Sequence, residues 1–215
     1  MADDSSPHEI ARNGSVQIAR TLRALRESRA LSLRALAREA GVSSSLLSQI
    51  EMGRVKPSVD TLFALAEALA VPVARFFADS VEESAPAVPS DRLLIRHQER
   101  KRLTFENGNL WTLLTGEELP GFRFLEITYP PGSTSGKHML RHRGRDFLVC
   151  IEGELTVQLG FSTDFLGPAD SMWFDSHIPH QLRNETSMPT RFMSVTIDPW
   201  PIGAGEARES HGHAG

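Results

Sequence analysis

The sequence predicts an α plus β chain of two domains, an N-terminal all-α bundle over residues 14–78 and a C-terminal all-β barrel or sandwich over residues 93–199. Three observations carry this. Between Ile18 and Phe77, apolar residues recur at helical spacing behind serine caps. Residues 79–92, "DSVEESAPAVPSDR", turn to Ser, Pro and acid with almost nothing to bury, as a linker does. Beyond Leu93, short apolar runs alternate with Gly, Pro, Asn and Asp turns. Residues 1–13 and 200–215 read as unstructured tails.

The helices follow in order. Ile18, Leu22 and Leu25 form one buried stripe, with Arg20, Arg23 and Arg26 interspersed. Ser32 caps a second helix, Leu33 to Ala40, which Gly41 closes; Ser43 caps a third that runs to about Met52. Ser58 caps a fourth, whose Leu62, Leu65, Ala66 and Leu69 repeat at helical spacing, and Val73 to Phe77 adds a last turn. In "SLRALAREAGVSSSLLSQIEMGR" the glycine permits a tight turn between two short helices. Leu36, Ala37, Val42, Leu47 and Ile50 then share a core, which leaves Ser44, Ser45, Ser48 and Gln49 on an outer face that is short, polar and uncharged. Such a face suits a major groove, because Ser hydroxyls bond base edges or phosphates and a Gln amide pairs bidentately with adenine. From Gly14 to Ala78, nine Arg and Lys oppose five Asp and Glu, although the whole chain carries a net charge of −4. A basic first half fits a nucleic-acid partner for that half alone.

These residues resemble the Xre and phage-repressor (lambda-repressor-like) helix-turn-helix family over about Ile18 to Phe77, most specifically in "LAREAGVSSSLLSQIEMGRVKPSVDTLFALAEAL". The resemblance implies that Ser44, Ser45 and Gln49 read bases, with Ser48 on the same face. It also implies that Arg54 and Lys56 contact phosphates, and that Ser43 serves as both cap and phosphate ligand. Glu51 is expected to pair with Arg26 as a structural tie. Leu33 stands where many members carry a phosphate-binding Gln, and Arg34 is expected to take over that role. A helical protein-interaction module is the alternative. A monomer of this type makes few phosphate contacts, so useful specificity calls for a homodimer reading two half-sites.

In the second half, strands are expected in "LLIRHQERKRLTF", "LWTLLT", "FRFLEITY", "DFLVCIEGELTVQLG", "SMWFDS" and "TRFMSVTI". Many short strands without helices suggest a sandwich or barrel. In "KHMLRHRGRDFLVCIEGE", period-two alternation turns His138, Leu140 and His142 one way, and after a turn at Arg143-Gly144-Arg145, Asp146 returns on the next strand to meet His142. His180 and Asn184 form a second cluster. Cys150 is the only cysteine, so an intrachain disulfide and a thiolate-only zinc site within one chain are both excluded.

The second half resembles the cupin family, a double-stranded β-helix barrel, over about Leu93 to Pro199. Gly132 and Gly153 match its glycines, His142 and Asp146 fall at ligand positions, and His180 and Asn184 match its second motif. Leu140 occupies a position where the family carries a His, and Asp146 stands for a Glu. Two His and one carboxylate still suffice for Fe(II), Mn(II), Ni(II) or Zn(II) with open positions. Alternatively, His142, Asp146 and His180 form a hydrogen-bonded polar patch that holds a ligand without metal. Leu140, Leu148, Met172 and Phe174, and also Trp111, are expected to line a small-molecule pocket.

The two resemblances together imply a bacterial, non-enzymatic transcription regulator. Its barrel binds an amino-acid-like or polyamine-like effector, dimerises, and modulates binding to a double-stranded DNA operator. A metal-dependent cupin enzyme of dioxygenase or isomerase type fused to a DNA reader is the alternative. A third reading is a stress or toxin-antitoxin module whose barrel only dimerises. The start "MADDSSPHEIARNG" lacks a basic and apolar leader, and no run approaches the roughly 18 apolar residues of a membrane span, so the expectation is a cytoplasmic protein.

Overall fold

The computed structural model describes residues 7–77, 94–116, 119 and 121–198, with side chains from residue 16 onward. Four α-helices come first: α1 (Pro7–Ser28), α2 (Leu33–Glu39), α3 (Ser44–Glu51) and α4 (Val59–Ala68), followed by a 3-10 turn at Val73–Phe77. The caps act as the sequence indicates. Ser32 Oγ accepts from the Ala35 amide at 3.1 Å, Ser43 Oγ from Leu46 at 3.1 Å and Ser58 Oγ from Thr61 at 3.3 Å, each satisfying an amide that the helix start leaves orphaned. Gly41 lies at φ +66° with open space around its α-carbon. Its role is therefore conformational, and it lets the Val42 amide return to the Ala37 carbonyl at 2.9 Å in a Schellman-type stop. Ile18, Leu22, Leu36, Leu47, Ile50, Leu62 and Leu65 form the helical core, each nearly or wholly buried.

One boundary differs from expectation. The helical domain was expected to begin at residue 14 after an unstructured tail over 1–13, whereas α1 begins at Pro7. Proline needs no amide hydrogen at the first helical position and presets φ there, and Gly14 is tolerated inside the long helix. The expected linker at 79–92 and the tail at 200–215 lie outside the described residues.

The second half contributes β1 (Arg102–Thr104), β2 (Leu110–Leu113), β3 (Phe122–Tyr129), β4 (Arg145–Glu152), β5 (Leu155–Leu159), β6 (Ser162–Leu166), β7 (Ser171–Asp175), β8 (His180–Arg183) and β9 (Thr190–Ile197). They form a six-stranded sheet in the order β1-β2-β3-β9-β4-β7 and a three-stranded sheet in the order β6-β5-β8, antiparallel throughout. The strand expected to begin at residue 93 is confined to Arg102–Thr104, and His97–Glu99 forms a 3-10 turn instead. The intervening "RHQERKR" offers no apolar alternation to bury. Two strands went unread: β6 is exposed at four of its five residues, and β8 is only four residues long.

Register places the site. Asp146 on β4 lies opposite Thr196 on β9 and Phe174 on β7, so all three face the barrel interior. The outward phase of the same sheet forms the row Phe124, Val195, Phe147, Trp173 across β3, β9, β4 and β7. One buried cluster runs from the helical core into the barrel, with Phe63 of α4 packed against it. The join is further marked by the Glu106 amide donating to the Pro57 carbonyl at 3.2 Å.

Candidate functional site

On the helical side, Ser43, Ser44, Ser45 and Gln49 are exposed along one side of α3, and Ser48 is half-buried. Arg34 and Arg54 are exposed, and Lys56 is half-buried, with its ammonium pushed down by that burial. That face of α3 is held from beneath. Arg26 of α1 grips Glu51 of α3 through Nε to Oε1 at 2.7 Å and Nη2 to Oε2 at 2.9 Å, and its Nη1 donates to the Leu31 carbonyl at 3.0 Å. This bidentate pair fixes α3 against α1, and its planar geometry is one that a lysine could not reproduce. The polar tips of the outer face therefore project from a helix locked at its C-terminal end by Glu51 and capped at its N-terminal end by Ser43.

On the barrel side, the structure brings His142, Asp146 and His180 together, with one ligand atom from each lying within 4.8 Å of the others. His142 Nε2 lies 3.2 Å and His180 Nε2 3.9 Å from Asp146 Oδ2. The approach of His142 differs from the expected strand pair. Residues 137–142 make one bridge, Leu140 to His180, and the amide of His142 donates to the Ser176 carbonyl at 3.0 Å. Between the Thr134–Arg183 and Leu140–His180 bridges the segment bulges, which leaves His138 exposed rather than on the inward face. Gly144 makes the turn to Asp146 at φ +98°, where a β-carbon would strike the carbonyl oxygen of Ile197.

The electrostatics of the cluster are set by Asp146. Burial alone would push its carboxyl upward. The hydrogen bond and charge of His142, the Arg123 guanidinium and the Thr196 hydroxyl outweigh that and hold it well below the usual carboxylate range. Thr196 Oγ1 donates to Oδ1 at 2.6 Å and Ser176 Oγ donates to Oδ2 at 3.0 Å. Burial pushes His180 down, which favours its neutral form.

The ring tautomers bear on metal binding. His142 Nδ1 faces the Arg143 carbonyl at 3.0 Å and His180 Nδ1 faces the Ile178 carbonyl at 2.9 Å. A carbonyl only accepts, so each Nδ1 carries hydrogen, and it is Nε2 of each ring that faces Asp146. A lone pair facing a carboxylate requires a cation or a proton between them. Two imidazole nitrogens backed by carbonyls and one carboxylate oxygen therefore fit a divalent metal in both ligand type and outer-shell support.

Around the cluster, Leu140, Leu148 and Phe174 are buried and Met172 is half-buried, with the Phe174 ring 5.0 Å from that of His180. Asn184 is not turned to ligand use. Its Nδ2 donates to the carbonyls of Tyr129, Pro130 and Met188 at 3.0, 3.1 and 2.8 Å, tying β8 to the end of β3. Sequence reasoning missed Arg123, whose Nη2 donates to Thr196 Oγ1 at 2.8 Å. The available signal was its place in the inward phase of β3 with Leu125, Ile127 and Tyr129. It also missed Phe63, which stacks on His142 at 4.9 Å; no local pattern reveals a contact between domains.

Each half of the chain matches a domain family model. Residues 17–76 match the family model described as a helix-turn-helix domain, and residues 125–196 match that of the cupin domain. The chain is homologous to HTH-type transcriptional regulators. PuuR of Escherichia coli is 23% identical over 171 residues, which cover 80% of this chain and 89% of PuuR. SutR of the same organism is 25% identical over 177 residues, 81% of this chain and 91% of SutR. The crystal structure of an HTH_3 family transcriptional regulator from Vibrio cholerae is 27% identical with a TM-score of 0.62, covering 87% of this chain and 98% of that one. Among the described residues no helix is long and apolar enough to cross a membrane.

Proposed function

We propose that the chain is a sequence-specific transcriptional regulator whose cupin barrel binds a small metabolite and changes the affinity of α3 for an operator in double-stranded DNA. The observation that carries this reading is the coexistence of an exposed Ser44, Ser45 and Gln49 face with a polar barrel interior that meets the helical domain through Phe63 of α4. Ser43, Ser44, Ser45, Ser48 and Gln49 meet the major groove, and Arg34, Arg54 and Lys56 meet phosphates. An effector shifts operator binding only by the difference in its affinity for the competent and incompetent arrangements, typically about 1 to 3 kcal/mol. Titrating a labelled operator at fixed salt, with and without candidate metabolites, tests this; affinity indifferent to every metabolite that binds the barrel refutes it.

His142, Asp146 and His180 hold a divalent metal in the barrel, which in this reading orders the pocket wall rather than running a reaction. The alternative, an oxygen-using enzyme, is favoured by the same three donors. Metal content of the native protein against Asp146→Asn, together with oxygen uptake, separates the two: metal without turnover supports the sensor, and turnover supports the enzyme.

A homodimer is supported by the outer face of the large sheet. Phe147, Val149, Trp173 and Ile197 are 37%, 42%, 64% and 45% exposed, and Phe147 stacks on Trp173 at 6.3 Å. A two-fold pairing of this face covers it and sets the spacing of two readers. Trp173→Asp is expected to yield monomers in analytical ultracentrifugation; an unchanged dimer places the interface elsewhere.

A further inference from the structure

Phe63 lies beside Leu62 and two residues before Leu65, both wholly buried in the helical core. Helical spacing puts it four residues after Val59 and three before Ala66, both buried, and so on the edge of the same stripe. From that edge the ring reaches into the barrel. It stacks on the His142 imidazole at 4.9 Å with the planes 13° apart, meets Trp111 edge-on at 6.2 Å, and lies under the Arg123 guanidinium at 5.6 Å.

Both of the latter neighbours keep a buried donor without an acceptor, Trp111 Nε1 and Arg123 Nε. Folded proteins leave few such groups, because each forfeits its bond to water without replacement. The buried carboxylate in this part of the barrel, Asp146, is already engaged. Thr196 holds Asp146 Oδ1, and Ser176 and His142 hold Oδ2. Asp198 lies within electrostatic range of the same guanidinium, yet Arg123 Nε remains unbonded. The unused capacity around the Phe63 ring is thus donor capacity on a cationic and an indole group. An amine would find no idle carboxylate at Asp146, whereas a carboxylate would satisfy both orphaned donors.

We propose that Phe63 is a built-in occupant of the effector pocket, and that a small carboxylate with a flat apolar body takes its place, its oxygens on Arg123 and Trp111 and its body on His142. This rests on the barrel being the sensor. The ring and the effector exclude each other, so effector binding withdraws α4 from the barrel. α4 packs through Leu62 and Leu65 into the core that carries α3, so the reader shifts with it.

The test uses the full chain, phenylacetate as probe and phenethylamine as its cationic counterpart, with binding followed by calorimetry. Native protein is expected to bind phenylacetate and not phenethylamine. Removing the competing ring in Phe63→Ala tightens phenylacetate binding by about tenfold, because affinity is reduced by the fraction of molecules that are open. Phe63→Leu, which keeps an apolar side chain at the join, gives a smaller tightening and covers a folding failure of the alanine variant. Arg123→Met abolishes binding in both backgrounds. The proposal is overturned if neither Phe63 variant binds more tightly than native, if phenethylamine binds as well as phenylacetate, or if Arg123→Met binds normally. An operator response to some other metabolite alongside these failures leaves the sensor reading standing. Carboxylate binding as described without any operator response overturns the sensor reading and keeps the pocket.

Discussion

Replacing Arg26 by Met probes how the reading helix is held. The Arg26 and Glu51 side chains retain only 14% and 7% exposure, and the substitution deletes two bonds to Glu51 and one to the Leu31 carbonyl. The dominant cost is the Glu51 carboxylate left in place without its partner. Breaking a fully buried pair this way costs about 3 to 5 kcal/mol, and the residual exposure here brings the expectation to about 2 to 3 kcal/mol. Far-UV circular dichroism in urea reads this loss, because the α-helices among the described residues lie in the first half, while Trp111 and Trp173 report the barrel. Glu51→Leu in the Arg26→Met background removes the stranded charge and should recover at least half of the loss. A single-variant loss below about 0.5 kcal/mol, the level of an ordinary exposed pair, or no recovery in the double variant, refutes the view that α3 is fixed by this pair.

Two further outcomes concern the barrel. Gly144→Ala forces a β-carbon against the Ile197 carbonyl oxygen at φ +98° and should destabilise the barrel by about 1 to 3 kcal/mol, read as a lower midpoint in tryptophan fluorescence; a neutral result would mean that the turn relaxes freely. Acidifying the metal-free protein should lower barrel stability in two stages. His180 and Asp146 both have folded pKa values below their unfolded ones, so the unfolded chain binds more protons. Their contribution is present above the unfolded values, near 6.5 for His180 and 3.8 for Asp146, and is lost as pH falls through them. Thermal midpoints that are flat from neutral pH to below the histidine value, or that rise, contradict the burial of a neutral His180.

The helical half was legible because its signals are local. Ser32, Ser43 and Ser58 each precede an apolar stripe, and Gly41 supplies the backbone conformation that stops α2. Strands β3 and β9 were equally plain, since β9 alternates along its length and β3 along its C-terminal part against a buried face. Strand β6 failed as a signal because four exposed residues give alternation nothing to act on. The cluster of His142, Asp146 and His180 could be read from spacing and phase, yet the path of residues 137–142 could not. A bulge there is decided by the partner strand, not by its own side chains. Arg123 was available in principle as a charge in a buried phase, whereas the seating of Phe63 depends on how two domains meet, and its own helix shows only that it flanks the buried stripe.

The central claim is sequence-specific DNA recognition by α3, and the ratio of operator to random-DNA affinity for native protein and Gln49→Ala at one salt concentration tests it most directly. Loss of a bidentate base contact should weaken operator binding by about 1 to 3 kcal/mol while leaving random-DNA binding nearly unchanged, with the salt dependence of both preserved because no phosphate contact is removed. Equal losses on operator and random DNA, or no loss on either, would contradict the assignment of this face as the reader.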